Sequence, residues 1–231
     1  DESGDLWLFG GYGKDGNGGT GHLNDLWKYD IGDENWTWTA GDKGKNKTGV
    51  YGTQGAAASA NKPGSRRRSM VWRDGSGNLT LYGGYGYDVN GSQGKLADMW
   101  LWNGTNWAWV SGEKTKGQTG NYGTLGTSSS DNYPGARRRG VNWIDNSGNL
   151  WLLGGEGKDA NGDDGYLNDM WQMELSFVWN GASTSWGTNS NWKHGGIPGS
   201  SYSVKIPSGL SSYPSLSSDV SVKTLEVENG G

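Results

Sequence analysis

The sequence contains no cysteine. Disulfides, thiolate nucleophiles and cysteine-based metal sites are thereby excluded, although the absence does not fix the compartment. Histidine is almost as scarce, with only His22 and His194. No run approaches the ~18 consecutive apolar residues of a membrane helix, so membrane insertion is not expected, and no charged-then-apolar leader is legible. Net charge is −4 and the positive charge is local, which argues against nucleic acid as a partner.

What is present is glycine and tryptophan. Forty-four Gly and fifteen Trp against two Phe describe a turn-rich β protein in which glycines make corners and indoles fill space. Such aromatic content also argues against disorder. At 231 residues the chain is long enough for one large all-β domain, or for a domain with a smaller module.

One unit is written three times: GDLWLFGGYGKDGNGGTGHLNDLWKYD from Gly4, GNLTLYGGYGYDVNGSQGKLADMWLWN from Gly77 and GNLWLLGGEGKDANGDDGYLNDMWQME from Gly148. From the first glycine of each pair (Gly10, Gly83, Gly154) to the following Trp (Trp27, Trp100, Trp171) the spacing is 17 in every copy. The period is 73 and then 71 residues. An apolar run ending in Gly-Gly, a polar loop and then Asp-[Leu/Met]-Trp resembles the kelch family of β-propellers, over residues 1–176. The resemblance implies an all-β fold: a partial kelch-type β-propeller of four-stranded blades, about two and a half of them, plus a C-terminal β module. The opening residues Asp1-Glu2-Ser3-Gly4 align with Asp74-Gly75-Ser76-Gly77, in mid-repeat, so the chain is expected to be a piece of something longer.

Each period reads as four strands. The first covers Arg66 to Asp74 and Arg137 to Asp145. The second is apolar at nearly every position, at Leu6–Phe9, Leu79–Tyr82 and Leu150–Leu153, and ends at the glycine pair. The third starts at Asp25, Asp98 and Asp169, with Trp27 and Tyr29, Trp100 and Trp102, and Trp171 and Met173 on one face. The fourth carries Trp36 with Trp38 and Trp107 with Trp109, an alternation in which one face is buried. Two and a half such units standing alone would leave a face of aromatics open.

The pattern stops near residue 176. Residues 177–231 read as a separate, incomplete β-rich module that resembles the opening of modules in large bacterial surface proteins. Two strands are expected there, one along Tyr202-Val204-Ile206 and one from Val220 to Val227. A rival reading makes Trp179 the fourth-strand Trp of the third blade. Trp186 and Trp192, in the irregular part, are the rings least committed to packing and so the most open to a sugar.

In a four-stranded blade the second-to-third strand loop opens on the same side as the connection between blades. Here those segments are long: Gly10 to Asn24 within a blade, and Gly41 to Pro63 and Gly112 to Pro134 between blades. The opposite side has short Asp-x-Ser-Gly turns at residues 1, 74 and 145. Binding sites favour long loops on a rigid scaffold. The two inter-blade loops repeat each other, with Tyr51 matching Tyr122, and each ends at an arginine triplet, Arg66-Arg67-Arg68 and Arg137-Arg138-Arg139.

Two readings of the triplets stand. Arg66, Arg68, Arg137 and Arg139 offer guanidinium forks to an anion or acidic glycan, with Tyr51 and Tyr122 beside them. Alternatively the arginines pair internally with the third-strand acids Asp25, Asp98 and Asp169, and the tyrosines only pack their loops. Asp159, Asn161 and Asp163 alternate oxygen donors in a way that suits calcium, but glycine stands at the fourth position instead of the sixth, and Asn-Gly more commonly marks a tight turn.

Within the kelch resemblance, copper radical oxidases need a cysteine cross-linked to tyrosine and paired histidines, which this chain lacks. No nucleophile elbow, phosphate loop or zinc spacing is present. The expected function is non-catalytic: a binding or adhesion scaffold of a large extracellular or cell-surface protein, meeting a protein or glycan through its long-loop side without a cofactor. The remainder of the same polypeptide, or other subunits, would complete the propeller. A glycan-active enzyme with its centre in other blades and an architectural subunit of an extracellular assembly are the alternatives.

Overall fold

The computed structural model of the chain describes residues 4–73, 77–129, 131–146, 148–173, 176–188, 191–192, 197–198 and 202–228. Among these residues there are only strands, turns and irregular segments, and no helix long and apolar enough to cross a membrane. The chain is all-β.

Three antiparallel sheets follow the three copies of the repeat. The first is β1 (Leu6–Lys14), β2 (Thr20–Asp30) and β3 (Asn35–Ala40), in that order. The second is β4 (Arg66–Arg67) and β5 (Met70–Arg73), both paired to β6 (Leu79–Tyr87), followed by β7 (Gln93–Trp102) and β8 (Trp107–Ser111). The third is β9 (Arg137–Arg138) and β10 (Val141–Ile144), both paired to β11 (Leu150–Lys158), and then β12 (Asp164–Met173). The expected turns at 1–3, 74–76 and at Ser147 fall outside the described residues.

Two boundaries differ from the sequence reading, each for a backbone reason. The second strand does not end at its glycine pair. It passes through a bulge, where the register shifts between Tyr82 and Gly84, and continues to Tyr87. Gly83 adopts φ 61° and Gly84 φ 100°, and a Cβ on Gly83 would lie 2.7 Å from the Arg137 carbonyl oxygen and 2.9 Å from that of Leu96. Only glycine permits that bend and approach. The supposed long loop from Gly10 to Asn24 is therefore mostly a hairpin with a turn at 15–19. The first strand, in turn, is broken: Arg68 and Arg139 sit at φ 61° and 62°, which splits β4 from β5 and β9 from β10. At this break the Arg139 N–H donates to the Arg68 carbonyl at 3.0 Å, joining neighbouring sheets at their edges.

The sheets stack face to face. Trp7, Phe9 and Leu26 of the first pack on Leu79, Leu81, Trp100, Trp102, Trp107 and Trp109 of the second, with Phe9 and Trp107 edge-to-face at 5.5 Å. The other face of the second sheet, through Met70, Trp72, Tyr82, Met99 and Leu101, meets Leu150 and Leu152 of the third. The middle sheet is thus buried on both faces, while each outer sheet keeps one open: Leu6, Leu8, Trp36 and Trp38 on the first, and Val141, Trp143, Leu153 and Met170 on the third are exposed.

After the third sheet the chain forms three parallel strands, β13 (Ser176–Val178), β14 (Ser203–Ile206) and β15 (Thr224–Val227), in sequence order. The expected strand at Val220–Val222 is absent and pairing starts at Thr224. Trp179 follows β13, bridges to Trp192 and does not extend the third sheet. Trp186 and Trp192 are buried with their rings 4.6 Å apart, which removes them as sugar platforms.

Candidate functional site on the loop side of the sheets

The arginine triplets begin where the inter-sheet segments 41–65 and 112–136 meet their sheets. Arg66 and Arg137 point inward and are fully buried. Arg66 is fully buried, with its guanidinium forked onto Asp98 at 2.6 Å through both Nη1 and Nη2, while Nε donates to Gly64 O at 2.9 Å and Nη1 to Gly83 O at 3.0 Å. The same Asp98 accepts from the Tyr51 hydroxyl and from Trp100 Nε1, both at 2.7 Å. The third sheet repeats the arrangement: Arg137 forks onto Asp169 at 2.7 Å, with Tyr122 OH and Trp171 Nε1 also at 2.7 Å.

A buried carboxylate surrounded by a guanidinium fork, a phenol and an indole is fully served with donors. Arg66 and Arg137 therefore have little left to offer an outside anion, and the hydroxyls of Tyr51 and Tyr122 are engaged in pinning their loops to the sheets. Burial and then the neighbouring Asp98 raise the Tyr51 pKa, and burial with the bond to Asp169 pushes that of Tyr122 up to about 12. The first repeat holds the acid and the indole, with Trp27 Nε1 2.7 Å from Asp25, but no arginine-bearing strand among the described residues.

Arg68 and Arg139 are exposed, outside this network. Desolvation and then the neighbouring Arg139, Arg67 and Arg138 cations lower the Arg68 pKa, so four arginines gather along the sheet edges. The residues that sequence reasoning passed over are Arg67 and Arg138. Each pairs across the ladder with the residue that follows a glycine pair, Arg67 with Tyr85 and Arg138 with Glu156. A row results: Tyr12, Arg67, Tyr85, Arg138, Glu156. The Arg67 guanidinium carbon is 5.1 Å from the Tyr12 ring centre and 5.8 Å from that of Tyr85, and that of Arg138 is 4.9 Å from Tyr85. Arg138 also forks onto Glu156 at 2.6 and 3.0 Å.

No family model and no curated protein matches the chain. Among solved structures, one described as the structure of YjhT is similar to it at 19% sequence identity and a TM-score of 0.36, over 58% of this chain and 29% of that one.

Asp159 of the candidate calcium loop, like its counterparts Asp15 and Asp88 in the other repeats, serves its own turn. Asp15 Oδ1 accepts from the N–H groups of Asn17 and Gly19, Asp88 Oδ1 from Asn90 and Ser92, and Asp159 Oδ1 from Asn161 and Asp163, at 2.7–3.0 Å. The remaining oxygens of Asp15 and Asp88 accept from the N–H groups of Lys45 and Lys116, tying each hairpin to the adjacent inter-sheet segment. Asp159, Asn161 and Asp163 thus form a closed turn. No group of three or more His, Cys, Asp or Glu side chains among the described residues is placed to hold a metal ion.

Proposed function

We propose that this chain is a stretch of kelch-type β-propeller repeats followed by a smaller β module, acting as a non-catalytic binding scaffold of an extracellular or cell-surface protein. It meets a protein or glycan through the side that carries segments 41–65 and 112–136. The observation that supports this reading is the repeated Tyr–Asp–Arg network: a long connection held by Tyr51 on Asp98, and again by Tyr122 on Asp169, is fixed before any partner arrives. Preorganised loops bind without the ordering cost that floppy ones incur. The test is retention of the full chain on arrays of glycans and surface proteins, compared with a variant whose segments 52–60 and 123–131 are replaced by short Gly-Ser links. Binding that survives the replacement, or no binding by the intact chain, overturns the proposal.

A second reading is favoured by the open faces of the outer sheets. Leu6, Leu8, Trp36 and Trp38 hold the positions that Leu79, Leu81, Trp107 and Trp109 hold on the buried middle sheet, and among the described residues no arginine pairs with Asp25 as Arg66 and Arg137 do with Asp98 and Asp169. Further sheets of the same kind, from the same polypeptide or another subunit, fit there, and the protein then serves an assembled structure. Sedimentation that remains monomeric at all concentrations, with both faces accessible to solvent, rules out assembly in trans.

A further inference from the structure

One group of hydrogen-bond donors beside the loop segments finds no acceptor. Arg67 lies between the rings of Tyr12 and Tyr85; its Nε is buried, and its guanidinium forms no hydrogen bond or ion pair among the described residues. His22 is only 4% exposed, and its Nε2 is likewise buried without a partner. The His22 ring is 5.2 Å from that of Tyr12 and 6.0 Å from that of Tyr85, so the same two tyrosines flank both groups. The side-chain nitrogen of Gln93 lies 3.1 Å from His22 Nδ1. Burial and then the Arg67 cation hold the His22 pKa below its usual value, which keeps the ring neutral. The neutral tautomer that satisfies this contact, with the Gln93 amide donating to Nδ1, carries its proton on Nε2. A half-buried guanidinium whose Nε is shut off from water and a buried neutral N–H donor thus lie against the same two rings, each without an acceptor among the described residues.

We infer that Arg67 and His22, flanked by Tyr12 and Tyr85, form a site for the carboxylate group of an acidic ligand. The inference rests on the binding-scaffold reading above and names the chemistry that its loop side takes. An unpaired buried donor costs stability unless something supplies an acceptor, and a planar guanidinium fork matches a planar carboxylate. The surroundings select a singly charged group. Arg138 is already engaged by Glu156, and Lys95 lies 2.6 Å from Asp164 and 3.6 Å from Glu156. A polyanion laid along the row would meet those two acids, whereas one carboxylate at Arg67 would not. Tyr12, more than half exposed, provides a flat ring at the open end of the site for the remainder of the ligand.

The experiment titrates glucuronate and glutarate into the full chain, with glucose, glutaramide and sulfate as controls, by calorimetry and by the side-chain N–H signals of His22 Nε2 and Arg67 Nε in ¹H–¹⁵N spectra. Saturable binding of at least one carboxylate is expected, with both side-chain signals moving and the neutral analogues inert. Which of the two binds more tightly tells an acidic sugar from an acidic side chain as the source. Arg67→Gln should weaken binding about tenfold or more, and Arg67→Lys should not restore it, whereas Lys205→Gln should leave it unchanged. If Arg67→Gln does not fold, the shifts of His22 Nε2 and Arg67 Nε in the unaltered protein decide. No binding of either carboxylate, equal binding of sulfate, unmoved side-chain signals, or an Arg67→Gln protein that folds and binds like the parent each overturns the inference. Failure here in a protein that still adheres through its loops removes the carboxylate site and leaves the scaffold reading standing.

Discussion

Arg66 and Asp98 are joined by two hydrogen bonds of 2.6 Å with both side chains 0% exposed. Their counterparts Arg137 and Asp169 repeat the fork at 2.7 Å, but 13% of the Asp169 side chain remains in contact with solvent. The same chemistry thus occurs in one chain at two degrees of burial. The difference arises because the middle sheet is covered on both faces and the third on only one.

Breaking the buried pair should be severe. Arg66→Met leaves the Asp98 carboxylate without its fork, and urea unfolding should show a loss of about 3–5 kcal/mol. Arg137→Met should cost less, since water reaches Asp169. Equal losses at the two positions would mean that burial does not set the strength of this pair.

Tyr51 couples that ion pair to the loop. Tyr51→Phe removes one hydroxyl donor from a buried carboxylate and is expected to cost about 1–3 kcal/mol. Cleavage within residues 41–63 during limited proteolysis should accelerate in step, because the loop is held there by that bond. A loop that stays as resistant as in the parent would show that the Tyr51 ring alone, packed 4.8 Å from Trp100, is sufficient.

Much of this arrangement was legible in the sequence, and the reasons are local. The runs Leu79–Tyr82 and Leu150–Leu153, with the Trp pairs that follow, announce buried strands because side-chain period and burial coincide. The pairing of the triplet arginines with Asp98 and Asp169 was one of the two readings of the triplets. The continuation of each strand beyond its glycine pair was hidden, since residues without side chains carry no burial signal. Alternation put Arg66 and Arg67 on opposite sides but could not say which side was buried. That is decided by Asp98, 32 residues away, and by the bulge at Gly83, whose carbonyl takes the Arg66 Nη1. The signal for the Arg67 row was the residue after each glycine pair, Tyr12, Tyr85 and Glu156, read as a column across the repeats.

Acid should weaken the third sheet through Asp169. Burial raises its pKa, but the hydrogen bonds from Arg137, Trp171 and Tyr122 outweigh that and hold it below the ordinary 3.8. A depressed folded-state pKa contributes stability above the unfolded value and loses it as pH falls through the folded one. The stability gap between the parent and Asp169→Asn should therefore be widest above about pH 4 and shrink below it. Tyr122 acts at the other end. Its pKa, raised to about 12, gives stability that is complete below its ordinary value of 10.0 and lost as pH climbs towards 12. A gap between parent and Asp169→Asn that stays constant from pH 6 to pH 2 would contradict this assignment.

Trp36 and Trp107 occupy the same position in successive repeats, at 52% and 2% exposure. Truncation of Trp107 to alanine removes a core indole wedged against Phe9 and should cost roughly 3–5 kcal/mol. Truncation of Trp36 should cost less than about 1 kcal/mol if the open face of the first sheet is open in solution. The comparison reports on assembly as well as packing. Should Trp36→Ala prove as damaging as Trp107→Ala, and the loss grow with protein concentration, then another copy of the chain covers that face. A damaging Trp36→Ala with no concentration dependence would instead require that the indole is covered from within the same molecule.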